Sequence, residues 1–324
     1  MKVIRDLSEI DQPFDHAVVT LGNFDGVHLG HREIFRSVLQ SARREKGTSV
    51  VCTFEPHPLK LLAADRAPLL INTPQERERL IAASCVDVLM ILPFTRELAA
   101  LDPEQFVDQI LLERIGLKHL VVGYDYAFGK GRSGSIEFLR DQGRSKGFKV
   151  DVFGPVQKNG QVISSTRVRQ HVLSGDVEGV VSLLGRHFNF EGQVVHGDGR
   201  GHHLGFATAN IFTEKELIPA SGVYACIAMV DGREYKSVVS IGCKTTFGEH
   251  PLTIEAHLFD FDQDVYDQTM RLYFVKKLRD QKTFSDKEAL IDAIKQDVEQ
   301  AHHCLERSRI IEYREYLTFE QDEA

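Results

Sequence analysis

In the first half of the chain, short apolar runs alternate with longer stretches whose apolar positions recur every three or four residues. HAVVTLGNF (16–24), TSVVCTF (48–54), VDVLMILPF (86–94), HLVVGYDYAFG (119–129) and KVDVFGPV (149–156) read as buried strands. Between them, HREIFRSVLQSARREKG (31–47) gathers Ile34, Phe35, Val38, Leu39 and Ala42 on one helical face and stops at Gly47. TPQERERLIAAS (73–84) opens with Thr73, Pro74 and Glu76, a capping box with proline at the first helical position. DPEQFVDQILLERIG (102–116) repeats the Asp-Pro opening and ends at Gly116, and a further helix begins near Ser135. Apolar strands alternating with amphipathic helices predict a Rossmann-like α/β domain, a parallel sheet with helices on both faces. Ligands of such sheets bind at the carboxyl ends of strands, near a topological switch point.

Near residue 185 the pattern changes to GQVVHGDGRG, GVYACIAMVDGREYKSVVSIG, LTIEAHLFDF and TMRLYFVKKL, β-rich segments with few helices between them. Asp231-Gly232 within apolar alternation marks a hairpin. The run predicts an antiparallel β-barrel. SDKEALIDAIKQDVEQAHHCL (285–305) predicts a closing helix, with Ser285 and Glu288 as its capping box and Leu290, Ile291, Ile294, Val298 and Ala301 as its buried face. The expected division is residues 1–184, 185–306 and a tail, 307–324.

Composition narrows the function classes. The 324-residue chain is 42% hydrophobic and 27% charged with net charge −8. That charge argues against a general nucleic-acid surface and leaves room for a local phosphate pocket. Five scattered cysteines without a C-x-x-C pair argue against a disulfide framework or a zinc site. No leader pattern and no membrane-length apolar run occur, so a cytoplasmic protein without an obligatory protein partner is expected.

Candidate chemistry begins at GNFDGVHLGH (22–31). His28 and His31 fall where a helix starts, and unpaired N–H groups with the positive end of the helix dipole favour phosphate there. The same pair reads equally as a helix cap. Gly22 and Gly26 let the turn approach a ligand, and Gly30 leaves room beside the backbone. ISSTRVRQHVL (163–173) places Ser164, Ser165 and Thr166 with Arg167 and Arg169 at a strand-to-helix transition, as caps or as phosphate donors.

Together, GNFDGVHLGH and ISSTRVR resemble the nucleotidyltransferase half of the bacterial bifunctional riboflavin kinase/FAD synthetase family. The resemblance covers roughly residues 15–306. It implies adenylyl transfer from ATP to the FMN phosphate, releasing pyrophosphate. His28 and His31 would stabilise the α-phosphate; Gly22, Asn23, Phe24, Asp25 and Gly30 would form the nucleotide turn; Ser164, Ser165, Thr166 and Arg167 would grip the pyrophosphate. TFEPHP (53–58) reads as a stiff loop or, with Phe54, Pro56, His57 and Pro58, as an isoalloxazine slot. GYDYAFGKGRSG (123–134) is similar to the family's G-x-D-F-x-F-G segment, with Asp125 for nucleotide or flavin, Phe128 for stacking, and Lys130 and Arg132 for phosphate charge.

In the second half, GQVVHGDGRGHHLGFATANIF (192–212) is similar to the family's flavokinase module, which transfers the γ-phosphate of ATP to riboflavin. Gly197, Gly199 and Gly201 let N–H groups face phosphate. The resemblance implies that Thr208 and Asn210 bind phosphates and Mg2+, that Glu255 in IEAHLFDF is the catalytic base, and that Arg279 lies on the flavin side. Departures from the family pattern are Ala207 and Thr245, where proline is usual, Asp267-Gln268 for Gly-Lys, and Gln281 for glutamate. An active kinase is expected, with an adenylyltransferase carrying a weak or inactive kinase module as the alternative. His202-His203 and His302-His303 read as surface residues.

Overall fold

A computed structural model describes residues 1–197, 206–243 and 252–312 of the chain. Among these, the chain divides into two compact units, residues 1–164 and 165–312.

The first unit contains β1 (Lys2–Ile4), β2 (Ala17–Leu21), α1 (Leu29–Glu45), β3 (Ser49–Glu55), α2 (Pro58–Leu62), α3 (Pro74–Ala82), β4 (Val88–Pro93) and α4 (Arg96–Ala100). It continues through α5 (Pro103–Gln105), which runs on as a π-helical segment over Phe106–Ile115, then β5 (Leu117–Gly123), α6 (Ile136–Lys146) and β6 (Lys149–Phe153). The strands form one parallel sheet in the order β1-β4-β3-β2-β5-β6. A small hairpin of β7 (Gln157–Lys158) and β8 (Gln161–Val162) follows. The expected caps are present: Thr73 and Glu76 close a capping box, Asp102 caps α5, and Ser135 caps α6. The π-helical stretch reads as an ordinary amphipathic helix in sequence. Its buried residues, Phe106, Val107, Ile110, Leu111 and Ile115, recur at four and five positions, which suits the wider turn.

Alternate residues of the sheet feed two cores. Val50 and Cys52 of β3 join Phe106, Ile110 and Leu139 on one face, while Val51 joins Phe35, Leu39, Leu80 and Ile81 on the other. Because β2 pairs with β3 on one side and with β5 on the other, the strand order reverses direction at β2/β5. The carboxyl ends of β2, β3 and β5 therefore share one edge at the switch point.

The second unit starts with α7 (Ser165–Ser174) and α8 (Val177–Leu184). The sequence pattern assigned these helices to the first domain. They pack instead with the barrel: α8 lies against the penultimate element of the chain, and Ala220 N–H donates to the Val172 carbonyl. Then come β9 (Asn189–Val195), β10 (Ala209–Phe212), β11 (Gly222–Val230), β12 (Arg233–Cys243), β13 (Leu252–Leu258), β14 (Thr269–Arg279) and α9 (Lys287–Leu305). The strands close an antiparallel barrel in the order β10-β13-β12-β11-β14-β9, β9 pairing back to β10. Val223, Ala225 and Ile227 of β11 and Val238 of β12 pack outward with Ala301 and Leu305 of α9.

Helix α9 corrects two expectations. Its N-cap is Asp286, which accepts from Ala289 N–H at 2.8 Å, while Ser285 donates to Asp286. Its most buried residues are Ala293, Asp297, Ala301 and Leu305; Leu290, Ile291, Ile294 and Val298 are partly buried. Asp297 belongs inside because Arg279 of β14 meets it with two hydrogen bonds, at 2.8 and 2.7 Å.

Candidate active sites

The turn after β2 is strained and held by packing. Phe24, Gly26 and Val27 all have positive φ, at 47°, 87° and 39°. Such a conformation in a β-branched residue persists only where surroundings over-determine it. Phe24 and Val27 are buried in the core beside Phe35. Asp25, 4% exposed, accepts from the backbone N–H groups of Ile71 and Asn72 at 3.0 to 3.2 Å. Asp25 and the Phe24 side chain thus build the turn. A Cβ on Gly22 would meet the Phe24 ring at 2.9 Å, which accounts for glycine there.

His28 is the N-cap of α1: its Nδ1 accepts the His31 N–H at 3.2 Å. A neutral His28 ring therefore carries its proton on Nε2, as a donor. The two imidazoles stack, with centroids 3.6 Å apart. The capping reading holds for His28. The backbone oxygen of Ile163 lies 3.7 Å from where a Cβ on Gly30 would sit, so the chain leading into Ser164 passes the first turn of α1. Ser165, Thr166, Arg167 and Arg169 belong to α7 in the second unit.

The other strand ends converge on this turn. The Asn23 side-chain amide lies 3.1 Å from His57 Nε2, and His57 Nδ1, capping α2, accepts the Leu59 N–H. Thr53 Oγ1 donates to the Asn23 carbonyl. Phe54 is half-buried against Phe94, Pro56 is exposed, and Pro58 is the first residue of α2. After β5, Asp125 is exposed, with its Oδ1 3.2 Å from a Cβ placed on Gly123. Phe128 packs with Phe106, Tyr126 and Phe138, and a Cβ on Gly134 would meet its ring at 2.5 Å. Its ring is part of an aromatic wall and not a free stacking surface. Lys130 and Arg132 lie in an exposed turn. Burial pushes the Tyr126 phenol and the Cys52 thiol up, so both stay protonated.

One residue escaped the sequence reading. Arg77 of α3, 5% exposed, donates to the Asn23 and Phe54 carbonyls at 3.3 Å and to Glu55 Oε2 at 2.6 Å. It ties the β2 turn to the end of β3. Its spacing from Leu80 and Ile81 placed it on the buried face, the one signal available.

In the barrel, register assembles the site. Arg279 pairs with Val223, Val223 with Ser240, Ser240 with Glu255, and Glu255 with Asn210. Directly opposed residues share a face, so these side chains form one row across β14, β11, β12, β13 and β10. A Cβ on Gly197 would lie 2.0 Å from Asn210 Nδ2, so the start of the glycine-rich loop passes close beneath Asn210. Two residues beyond Glu255, His257 Nδ1 donates to the Ala207 carbonyl at 2.7 Å, fixing the chain before half-buried Thr208. Arg279 is committed to Asp297. Gly199, Gly201, Thr245 and His202-His203 lie outside the described residues. His302 is exposed, its ring stacked on Phe259.

The departures among the described residues leave this framework intact. Proline and alanine both offer the carbonyl that His257 holds at 207. Asp267 has φ 61°, a left-handed conformation that aspartate tolerates in place of glycine. Gln281 hydrogen-bonds β12.

A family model for FAD synthetase matches residues 11–167, and one for riboflavin kinase matches residues 184–305. The chain is 34% identical over 301 residues to a bifunctional riboflavin kinase/FMN adenylyltransferase of Buchnera aphidicola, covering 92% of this chain and 96% of that one. It is 35% identical to the Escherichia coli K12 protein of the same description, covering 92% and 96%. A solved structure described as a macrolide-efflux protein from Streptococcus pneumoniae superposes with TM-score 0.83 at 33% identity, covering 93% of this chain and 98% of that one. Among the described residues of this chain, no helix is long and apolar enough to cross a membrane. With both halves matched and relatives aligned over nearly their whole length, the chain belongs to the bifunctional riboflavin kinase/FMN adenylyltransferase family.

Proposed function

We infer that the chain makes FAD in two steps in the cytoplasm. Riboflavin is phosphorylated to FMN by the half that contains residues 184–305, and FMN is adenylylated by the half that contains residues 11–167, each step using ATP. What supports this reading is one placement in each unit: His28 and His31 stacked at the start of α1, and Asn210 opposite Glu255 in the barrel.

For adenylyl transfer, the FMN phosphate attacks the α-phosphorus of ATP and pyrophosphate leaves. Catalysis is positioning and charge stabilisation. His28 donates from Nε2, and His31 stands over it on the first turn of α1. The turn Gly22, Asn23, Phe24 and Asp25, with Gly30, shapes the backbone to the nucleotide. Ser164, Ser165, Thr166 and Arg167, within the matched span 11–167, take the pyrophosphate. Phe54, Pro56, His57 and Pro58 form one side of the flavin slot. Asp125, Arg132 and the wall containing Phe128 form the other.

For phosphorylation, Glu255 accepts the proton of the riboflavin 5′-hydroxyl as its oxygen attacks the γ-phosphorus. Gly197 approaches the phosphates. The hydroxyl of Thr208 and the carboxamide of Asn210 are oxygen donors beside a carboxylate, a set that suits Mg2+. When bound with ATP, Mg2+ neutralises phosphate charge. Arg279, held by Asp297, braces the flavin side of the row.

Product analysis with riboflavin, ATP and Mg2+ tests this reading: FMN should appear first, then FAD. FAD formation from supplied FMN without any phosphorylation of riboflavin would leave an adenylyltransferase with an inactive kinase module.

A further inference from the structure

Position 126 is phenylalanine in the G-x-D-F-x-F-G pattern that residues 123–129 resemble, and tyrosine in this chain. It stands in the turn after β5, where the Tyr126 N–H donates to the Gly123 carbonyl at 3.1 Å. The ring is half-buried and stacks on Phe128 with centroids 5.7 Å apart. It packs on the core that contains Cys52, where Phe54 packs as well. A phenylalanine would make the same contacts. Only the hydroxyl is added, and among the described residues it has no hydrogen-bond partner. The buried tyrosines of the barrel differ: Tyr224 donates to the Ala220 carbonyl and Tyr273 to Glu312. A half-buried hydroxyl is unfavourable without a partner, so the partner of this one comes from outside the chain. Burial keeps the phenol protonated, and the neighbouring Cys52 thiol acts in the same direction, so the group on offer is a donor.

We propose that the Tyr126 hydroxyl is a specificity-determining donor for FMN, hydrogen-bonded to a ring acceptor of the isoalloxazine in the adenylyltransferase half. The proposal rests on the reading of Phe54 and the Phe128 wall as the two sides of the flavin slot. Tyr126 joins those sides, because its ring belongs to the wall and packs on the same core as Phe54. Aromatic and apolar contact alone holds any flat ring of the right size. The isoalloxazine presents acceptors at N1, O2, O4 and N5, and a protonated phenol complements them. A donor fixed on one acceptor selects the edge of the flavin that enters the slot, and with it the direction in which the ribityl phosphate emerges.

The test is steady-state kinetics of FAD formation from supplied FMN and ATP by the purified full-length chain. Tyr126→Phe keeps the ring. It should raise the KM for FMN about fivefold, the loss of one neutral hydrogen bond, with kcat and the KM for ATP little changed. Analogues locate the acceptor: 1-deaza, 5-deaza, 2-thio and 4-thio FMN each weaken a different one. One of them should raise the wild-type KM by a similar factor and serve wild type and Tyr126→Phe equally well. Riboflavin phosphorylation should stay at its normal rate in the variant. An unchanged KM for FMN in Tyr126→Phe would overturn the proposal and leave water as the partner of the hydroxyl. A raised KM of the same size with every analogue would also overturn it, since that loss comes from packing. Phe54→Ala separates the bond from the slot. A raised KM for FMN there beside a normal Tyr126→Phe removes only the hydrogen bond, whereas a normal KM in both variants removes the slot itself.

Discussion

The site at the sheet edge and the row across the barrel gather their residues in opposite ways. In the first unit, Asn23, His28 and His31 come from a single turn, and strained backbone angles at Phe24, Gly26 and Val27 hold them in place. In the barrel, Asn210, Ser240 and Glu255 come from three strands, and they share one face only because the ladders are in register. A local site depends on what packs behind its turn. A register site depends on pairing, and a slip of one residue would turn each member of the row to the other face.

The largest expected effects would break the comparison outright. Glu255→Ala should cut FMN formation by about 10²–10⁴-fold, the range for a lost general base, and leave conversion of FMN to FAD intact. His31→Ala should do the reverse, lowering FAD formation by about 10²-fold while phosphorylation continues. Chromatography of the two products reads both. Equal loss of both products from either change, in a folded protein, would mean that the two sites are not separate.

Next in size, Arg77→Ala removes the buried fork between the β2 turn and β3. It should cost about 2–3 kcal/mol, chiefly from the Phe54 carbonyl and the Glu55 carboxylate losing the Arg77 donor, while the Asn23 carbonyl keeps Thr53. The loss should appear in denaturant unfolding and in FAD formation, with riboflavin phosphorylation spared. An undisturbed adenylyltransferase in this variant would show that the turn holds without its brace.

A third test uses pH on the barrel. His187, at the entrance to β9, is buried, and burial lowers its pKa from the ordinary 6.5. Its Nδ1 accepts the Ile311 N–H, joining the strand to the chain beyond α9. A depressed folded value means that the contribution is present above pH 6.5 and is lost as pH falls below it. Unfolding of the second unit, followed by circular dichroism, should therefore become easier below that pH. His187→Asn, which keeps an acceptor and cannot be protonated there, should flatten the decline. A pH dependence unchanged in His187→Asn would assign it to another group.

The smallest effect sharpens the picture of α9. Asp286→Ala should cost about 1 kcal/mol as the loss of an N-cap, and Ser285→Ala less, because Ser285 touches the helix only through Asp286. Thermal unfolding of the two variants gives the order directly.

Sequence showed the first unit well because its signals are local. Caps at Thr73, Asp102 and Ser135, the alternation of strands and helices, and the glycine turn before His28 all lie within a few residues of what they determine. Arg77 was hidden because an arginine in a charged run reads as solvated; only its helical spacing marks it as buried. The row in the barrel was hidden for a different reason. Pairing between residues as distant as 210 and 255, or 223 and 279, leaves no periodic trace. The resemblance supplied Asn210 and Glu255 as separate names, and the ladder made them neighbours. The cap of α9 slipped by one residue because Ser285 and Asp286 are both good caps and local chemistry does not choose between them.

The bond from His257 to the oxygen of residue 207 is addressed to the main chain, so it is blind to whatever side chain stands there. Substitution at that position costs the neighbouring threonine and asparagine nothing as long as the peptide keeps its path. A barrel wired in this manner can drift in sequence at residue 207 while the proposed phosphate-binding groups beside it stay where they were.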